Sequence, residues 1–165
     1  MSTAGSLVAE LKREAATTRK ILERIPDERL DWTPHERSWT FRKLASHIAN
    51  LGYWMIGVLD FEEVNLVAEN AEAFEAGSVS ELVARHDELM EEALPKLERL
   101  SEEDLAASWT LKNGDHVIME TSRLMALRIF ILNHLIHHRG QLSVYLRLCD
   151  VSVPAIYGPS ADEKS

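Results

Sequence analysis

Between Thr121 and Cys149 apolar residues recur every three or four positions, and the pattern runs on across Gly140. A stretch that long with helical periodicity commits this part of the chain to a long helix. On a wheel of about 100° per residue, Leu127, Ile131, His134, His138, Leu142 and Tyr145 fall on one arc. His134 and His138, one turn apart, are therefore expected to point into the protein, with His137 off to the side. Side chains at i and i+4 meet on a helix, and this spacing lets two imidazoles share one metal ion. The plainer reading is a pair of core histidines bonded to facing carboxylates. The joint placement favours metal, and His137 is the local competitor for His138.

Three further segments carry helical spacing. The first runs from about Ser6 to Ile25 and ends at Pro26-Asp27. The second runs from an N-cap at Thr40 to about Phe61, with Leu44, Ile48, Leu51, Met55 and Val58 as its stripe. The third opens with capping-box spacing at Ser78-Val79-Ser80-Glu81 and closes near Leu100. Pro95 is expected to kink or split it, because proline removes an amide donor. Between the third and fourth segments, Asn113-Gly114 inside Trp109–Ile118 signals a hairpin with a type I′ turn. The tail Val153–Ser160 is expected to be irregular and packed back by its apolar side chains. These elements predict an all-α fold: an antiparallel four-helix bundle, one domain over residues 1–165, with a small hairpin between helices 3 and 4.

Composition narrows the function. The net charge is -9, and no basic stripe exists to neutralise phosphates, so no nucleic-acid partner is expected. Cys149 is the sole cysteine, which excludes an internal disulfide and suits a reducing cytosol. There is no apolar signal core and no stretch long enough to span a bilayer. A soluble cytoplasmic protein without membrane association is expected.

Two ligands do not make a site. His47, in Leu44-Ala45-Ser46-His47-Ile48-Ala49-Asn50, borders the second segment's stripe and is the candidate third. Three neutral nitrogens leave a coordination position open, as catalytic sites do, and keep the ion's full charge for a hydroxide, thiolate or carboxylate. Asn50, Asn133 and Gln141 are candidates to orient an imidazole. His35, His86 and His116 read as ordinary surface or loop residues, and Arg139 as a salt-bridge or interface residue. Gly140, about 1 kcal/mol costlier than alanine in a helix, suggests close approach by another element or a partner chain. Tyr53, Trp54 and Tyr145 read as core residues that can also line a pocket, and Cys149 as a small core residue. A second apolar arc, Met125, Ile129, Leu132 and Ile136, suggests a homodimer face.

The run His134-Leu135-Ile136-His137-His138-Arg139-Gly140-Gln141, the stretch Trp39–Ile48 around His47, and Val153-Pro154 with Tyr157-Gly158-Pro159 resemble the DinB-like superfamily, including its YfiT-type members. The resemblance spans most of the chain. It implies a four-helix bundle, often dimeric, with His47, His134 and His138 binding a divalent ion such as zinc or nickel. Some relatives are metal-dependent transferases using bacillithiol or mycothiol, and others are classed as hydrolases. The leading expectation is a metal-dependent enzyme joining a low-molecular-weight thiol to an electrophilic small molecule. The alternatives are a hydrolase using a metal-bound hydroxide, and a non-catalytic, metal-stabilised binding or stress-response protein. No catalytic residue beyond the ligands is assigned, and no Asp or Glu adjoins the three histidines in sequence.

Overall fold

The computed structural model describes residues 2–67 and 74–164. Four helical rods pack in a ring. The first is α1 (Thr3–Leu22), the second is α2 (Phe41–Ala49) continued by α3 (Leu51–Asp60), and the third is α4 (Val79–Glu98). After a short α5 (Glu102–Ala106), the fourth rod is α6 (Arg123–Ala126), a π-helical turn (Leu127–Asn133) and α7 (His134–Leu148). α1 packs on α4 and α7, α2 on α7, and α3 on α4.

The expected four helical segments are present, but the fold is not purely all-α. A three-stranded sheet joins β1 (Glu63–Asn65), β2 (Ser108–Asn113) and β3 (His116–Ser122) in that order. β2 and β3 are the expected hairpin. β1 adds a parallel edge strand too short to carry a readable alternation. Its Asn65 amide grips the hairpin turn, donating to the Gly114 carbonyl and accepting from the Gly114 amide. The turn departs from type I′. Asn113 belongs to the strand, and Gly114 (φ 61°) is the first of the two central residues, Gly114 and Asp115. Glycine at that position is the requirement of a type II′ turn.

The second segment breaks at Asn50 (φ -90°, ψ 1°) instead of running unbroken to Phe61. Asn50 Oδ1 accepts from Arg85 Nε on α4 at 3.1 Å, which holds the bend. Just beyond it, a Cβ on Gly52 would sit 2.6 Å from Leu89 Cβ, so glycine is what lets α3 press onto α4. α4, by contrast, is not split by Pro95 and continues to Glu98. Proline falls near the helix end, where the lost amide costs a single hydrogen bond. The Ser78 hydroxyl caps the Glu81 amide as expected, but the Glu81 carboxylate reaches past Ser78 to the Gly77 amide. A complete capping box stands instead at Ser101 and Asp104.

The fourth rod carries the largest departure. Its π-helical turn winds less per residue than an α-helix, so an arc drawn at 100° slips across it. The expected dimer arc therefore divides: Met125 and Ile129 are exposed, Leu132 is buried and Ile136 half-buried in the core. α7 ends in a left-handed residue, Asp150 (φ 58°), with Val151 N–H bonded to Leu146 and Asp150 N–H to Arg147. That pair of bonds is a Schellman cap. The tail then folds back, with Val153 and Ile156 packed against the α1–α2–α7 core. Gly140 lies on the exposed side of α7, where no atom of another element comes within 4 Å of a Cβ built on it, so the expected close approach within the chain is absent. No helix among the described residues is long and apolar enough to cross a membrane.

Candidate metal centre

The first turns of α7 and the last turn of α2 bring three imidazoles together. One ring nitrogen from each of His47, His134 and His138 lies within 4.8 Å of the others. His47 Nε2 is 3.1 Å from His134 Nε2. Two of the remaining nitrogens are already used. His134 Nδ1 donates to the Phe130 carbonyl at 3.2 Å, one turn back in the π-helical segment. His138 Nδ1 donates to Gln141 Oε1 at 2.7 Å. Those donations place the proton on Nδ1 and leave each Nε2 with its lone pair facing the centre. Of the three candidate orienting residues, Gln141 does this work. Asn50 is engaged with Arg85, and Asn133 is exposed on the fourth rod.

The electrostatics suit a cation. Burial, with the neighbouring rings, pushes His47 down to about 4. Burial likewise lowers His134 and His138, against the opposing hydrogen bonds to Phe130 and Gln141. All three rings are therefore neutral near pH 7. Among the described residues no carboxylate joins them. Among the described residues, then, the three histidines are not satisfied by facing carboxylates. Three neutral bases crowded without a counter-charge fit a divalent ion, which needs deprotonated nitrogen ligands.

His137 is exposed and lies beside His138 without joining the three. His35 and His116 are exposed, as expected. His86 is not: it is buried on α4, with Nε2 3.1 Å from the Ala15 carbonyl and Nδ1 unpartnered. It sits on the same face as Leu82, Leu89 and Ala93, a stripe in which histidine passes for a polar interruption. Arg139, placed off the core arc by the wheel, is 1% exposed and forms an ion pair with Glu14 at 2.6 Å. Glu14 escaped notice because a carboxylate inside an amphipathic helix reads as solvent-facing.

Trp39, which opens the stretch around His47, has a place at the site that its sequence position does not show. Its ring stacks on His138 (centroids 5.8 Å apart, 18° between planes) and stands edge-on to His47. It lines two cavities. The larger, of about 490 Å³, is walled by His47, His134, Trp39, Trp54, Phe74 and Phe130, with Lys43 and Glu75 also on its lining. The smaller, of about 270 Å³, is lined by His138, Gln141, Tyr145, Ser38 and again Trp39. The Tyr145 hydroxyl donates to the Trp39 carbonyl, which ties α7 to the loop before α2. Trp54 both lines the larger cavity and packs against the core, so the two roles expected of it coexist. Cys149 is half-buried against the α1–α2–α7 core, and burial raises its thiol pKa, which is the behaviour of a packing residue.

Comparison with known proteins agrees with this architecture. The uncharacterised protein YrdA of Bacillus subtilis (strain 168) is 26% identical over 159 residues, which cover 91% of this chain and 85% of YrdA. The crystal structure of a DinB-like protein from Bacillus cereus ATCC 10987 superposes with a TM-score of 0.71 at 22% identity, covering 90% of this chain and 94% of that one. YfiT from Bacillus subtilis, described as a probable metal-dependent hydrolase with an unusual four-helix bundle topology, superposes with a TM-score of 0.67 at 17% identity, covering 92% of this chain and 91% of its own. The family model for the DinB family matches residues 1–165, and the chain belongs to that family.

Proposed function

We propose that His47, His134 and His138 hold a divalent ion, zinc or nickel, and that the protein is a metal-dependent enzyme joining a low-molecular-weight thiol to an electrophilic small molecule. The observation that carries this reading is the position of the triad between two cavities. His47 and His134 wall the larger one and His138 the smaller. A transfer between two reactants calls for two approaches to one centre, whereas hydrolysis calls for one approach and a water. The bound ion would supply positive charge that favours the thiolate form of a thiol. The chain's own residues do the rest. Gln141 and the Phe130 carbonyl fix the tautomers of His138 and His134. Trp39 covers the triad and lines both approaches. In the overall change the sulfur bonds to the electrophilic carbon, the thiol proton passes to solvent, and a leaving group such as halide departs with its bonding electrons.

Metal-dependent hydrolysis is the second reading, supported by the likeness to YfiT and by Glu75, a carboxylate on the larger cavity's wall. Glu75 lies 3.9 Å from Arg42 and does not join the three histidines, which weakens it as a base for this centre. A second copy of the chain over the exposed Met125 and Ile129 is the proposed oligomer, tested by mass in light scattering.

Metal content of untagged protein, before and after supplementation with zinc or nickel, is the deciding measurement, repeated with His47→Ala and His138→Ala. Wild type that stays metal-free removes the proposal. With metal present, conjugation of thiols to monochlorobimane that depends on both histidines supports transfer. Ester turnover without conjugation supports hydrolysis. A metal-raised Tm without either reaction points to a non-catalytic, metal-stabilised protein.

A further inference from the structure

The larger cavity has a chemistry of its own beyond the triad. Its apolar wall is aromatic and held in place from behind. Trp54 and Phe130 meet edge-on with centroids 6.0 Å apart, and Phe130 packs in turn on buried Trp109. A volume of about 490 Å³ with rigid aromatic walls is the size and character of a preformed small-molecule pocket. Flat apolar ligands gain most from such walls, through offset or edge-on ring contacts.

The charges on that wall are not equivalent. Glu75 lies 3.9 Å from Arg42, which also pairs with Asp31. Lys43 is different. Its ammonium stands over the Trp39 ring, 5.1 Å from the centroid. Among the described residues it has no carboxylate within 4.0 Å, whereas Lys96 pairs with Asp60 and Glu92, and Lys112 with Glu63. Among the described residues Lys43 is in no ion pair, as Lys12 and Lys20 are in none, but Lys43 is the one of these three that lines the cavity, beside a triad that itself contributes no negative charge.

From this juxtaposition we infer that the larger cavity binds a small molecule with a flat, aromatic body and an anionic group, the body among Trp54, Phe74 and Phe130 and the anion against Lys43. This names the class of the electrophilic substrate and deepens the function proposed above. The binding itself rests on the cavity and Lys43, not on the ion.

Three probes that share a naphthalene body test it: 2-naphthalenesulfonate, neutral 2-naphthalenesulfonamide and cationic 2-naphthylmethylammonium. Sulfonate is a weak ligand for divalent ions, so it reports on Lys43 apart from the triad. Each is titrated calorimetrically into metal-loaded and metal-depleted protein. The sulfonate is expected to bind about fivefold more tightly than the sulfonamide, the scale of one solvent-accessible charge pair. Lys43→Met, at an exposed position that leaves the core untouched, removes that preference and leaves the sulfonamide unchanged, and Lys43→Arg restores it. Phe74→Ala weakens sulfonate and sulfonamide alike. The inference is overturned if the ammonium probe binds best, if Lys43→Met leaves the preference intact, or if none of the probes binds at millimolar concentration. A sulfonate preference in protein that takes up no metal would sink the metal reading and leave this one standing.

Discussion

His138 and Arg139 are neighbours in sequence, yet they serve opposite kinds of site. His138 turns toward His47 and His134, into a group of neutral bases with no carboxylate among them. Arg139 turns toward α1, where its guanidinium meets the Glu14 carboxylate at 2.6 Å, the Glu14 carbonyl, the Thr18 hydroxyl and the Tyr157 hydroxyl. Tyr157 donates in turn to Glu14 Oε2. Among the described residues, one face of α7 is electrostatically complete and the other is not. Completion marks a structural strut joining the first rod, the last rod and the tail.

The strongest way to break this contrast is to remove one half of the strut. Glu14→Ala strands a buried guanidinium, and the expected loss of stability is about 3–5 kcal/mol. It should appear as a lower urea midpoint with an unchanged slope. The double variant Glu14→Leu, Arg139→Met replaces the pair by apolar volume and should recover most of that loss. A double variant as unstable as Glu14→Ala would show that the node does more than balance charge.

The opposite face should answer to metal. Zinc or nickel at a free concentration one hundred times its Kd is expected to raise unfolding free energy by about 2.7 kcal/mol, seen as a higher Tm. His47→Ala should abolish the response. The strut double variant should keep it, since Arg139 touches none of the three rings. If both variants lose it together, the two faces of α7 are coupled and the comparison fails.

Acid separates the faces again. In metal-free protein His47 titrates near 4 when folded, against about 6.5 when unfolded. Between those values the unfolded chain binds more protons, so stability rises with pH and is lost as pH falls from about 6.5 toward 4. One such group gives a slope of at most about 1.4 kcal/mol per pH unit. His47→Asn should flatten urea midpoints across that window without levelling them, because burial lowers His86, His134 and His138 in the same direction. An unchanged slope would mean that His47 is not held neutral by its surroundings.

Much of this was legible before any coordinates. Helical spacing places His134 and His138 on the inner arc, because i and i+4 positions survive wherever the helix is regular. His47 follows from its own stripe. What periodicity cannot carry is a change of period. The π-helical turn at Leu127–Asn133 splits the supposed dimer arc while leaving the buried arc of Leu127, Ile131 and Leu142 in place. Asn50 breaks a rod through a side-chain bond to Arg85, thirty-five positions away in sequence. Glu14 and His86 are polar residues in amphipathic helices, and only their cross-chain partners reveal them as interior. Trp39 lies in a loop with no periodicity, so its place over two of the rings depends on tertiary geometry alone.

The smallest expected effect tests how the incomplete face is tuned. Gln141 lies on the same helix as His138, one turn on, and accepts from its Nδ1 at 2.7 Å. Without that acceptor the ring is free to rotate and to exchange tautomers, so Nε2 no longer presents its lone pair by default. Gln141→Ala is exposed and takes nothing from the core, so Tm of metal-free protein should hold. Metal affinity should fall about tenfold, at the low end of what orienting partners of metal-bound histidines contribute. Gln141→Glu, which keeps an acceptor and adds charge, should hold or raise affinity. If Gln141→Ala leaves the affinity unchanged, His138 is oriented by its stack against Trp39, and the weight of the comparison moves from the hydrogen bond on α7 to the loop before α2.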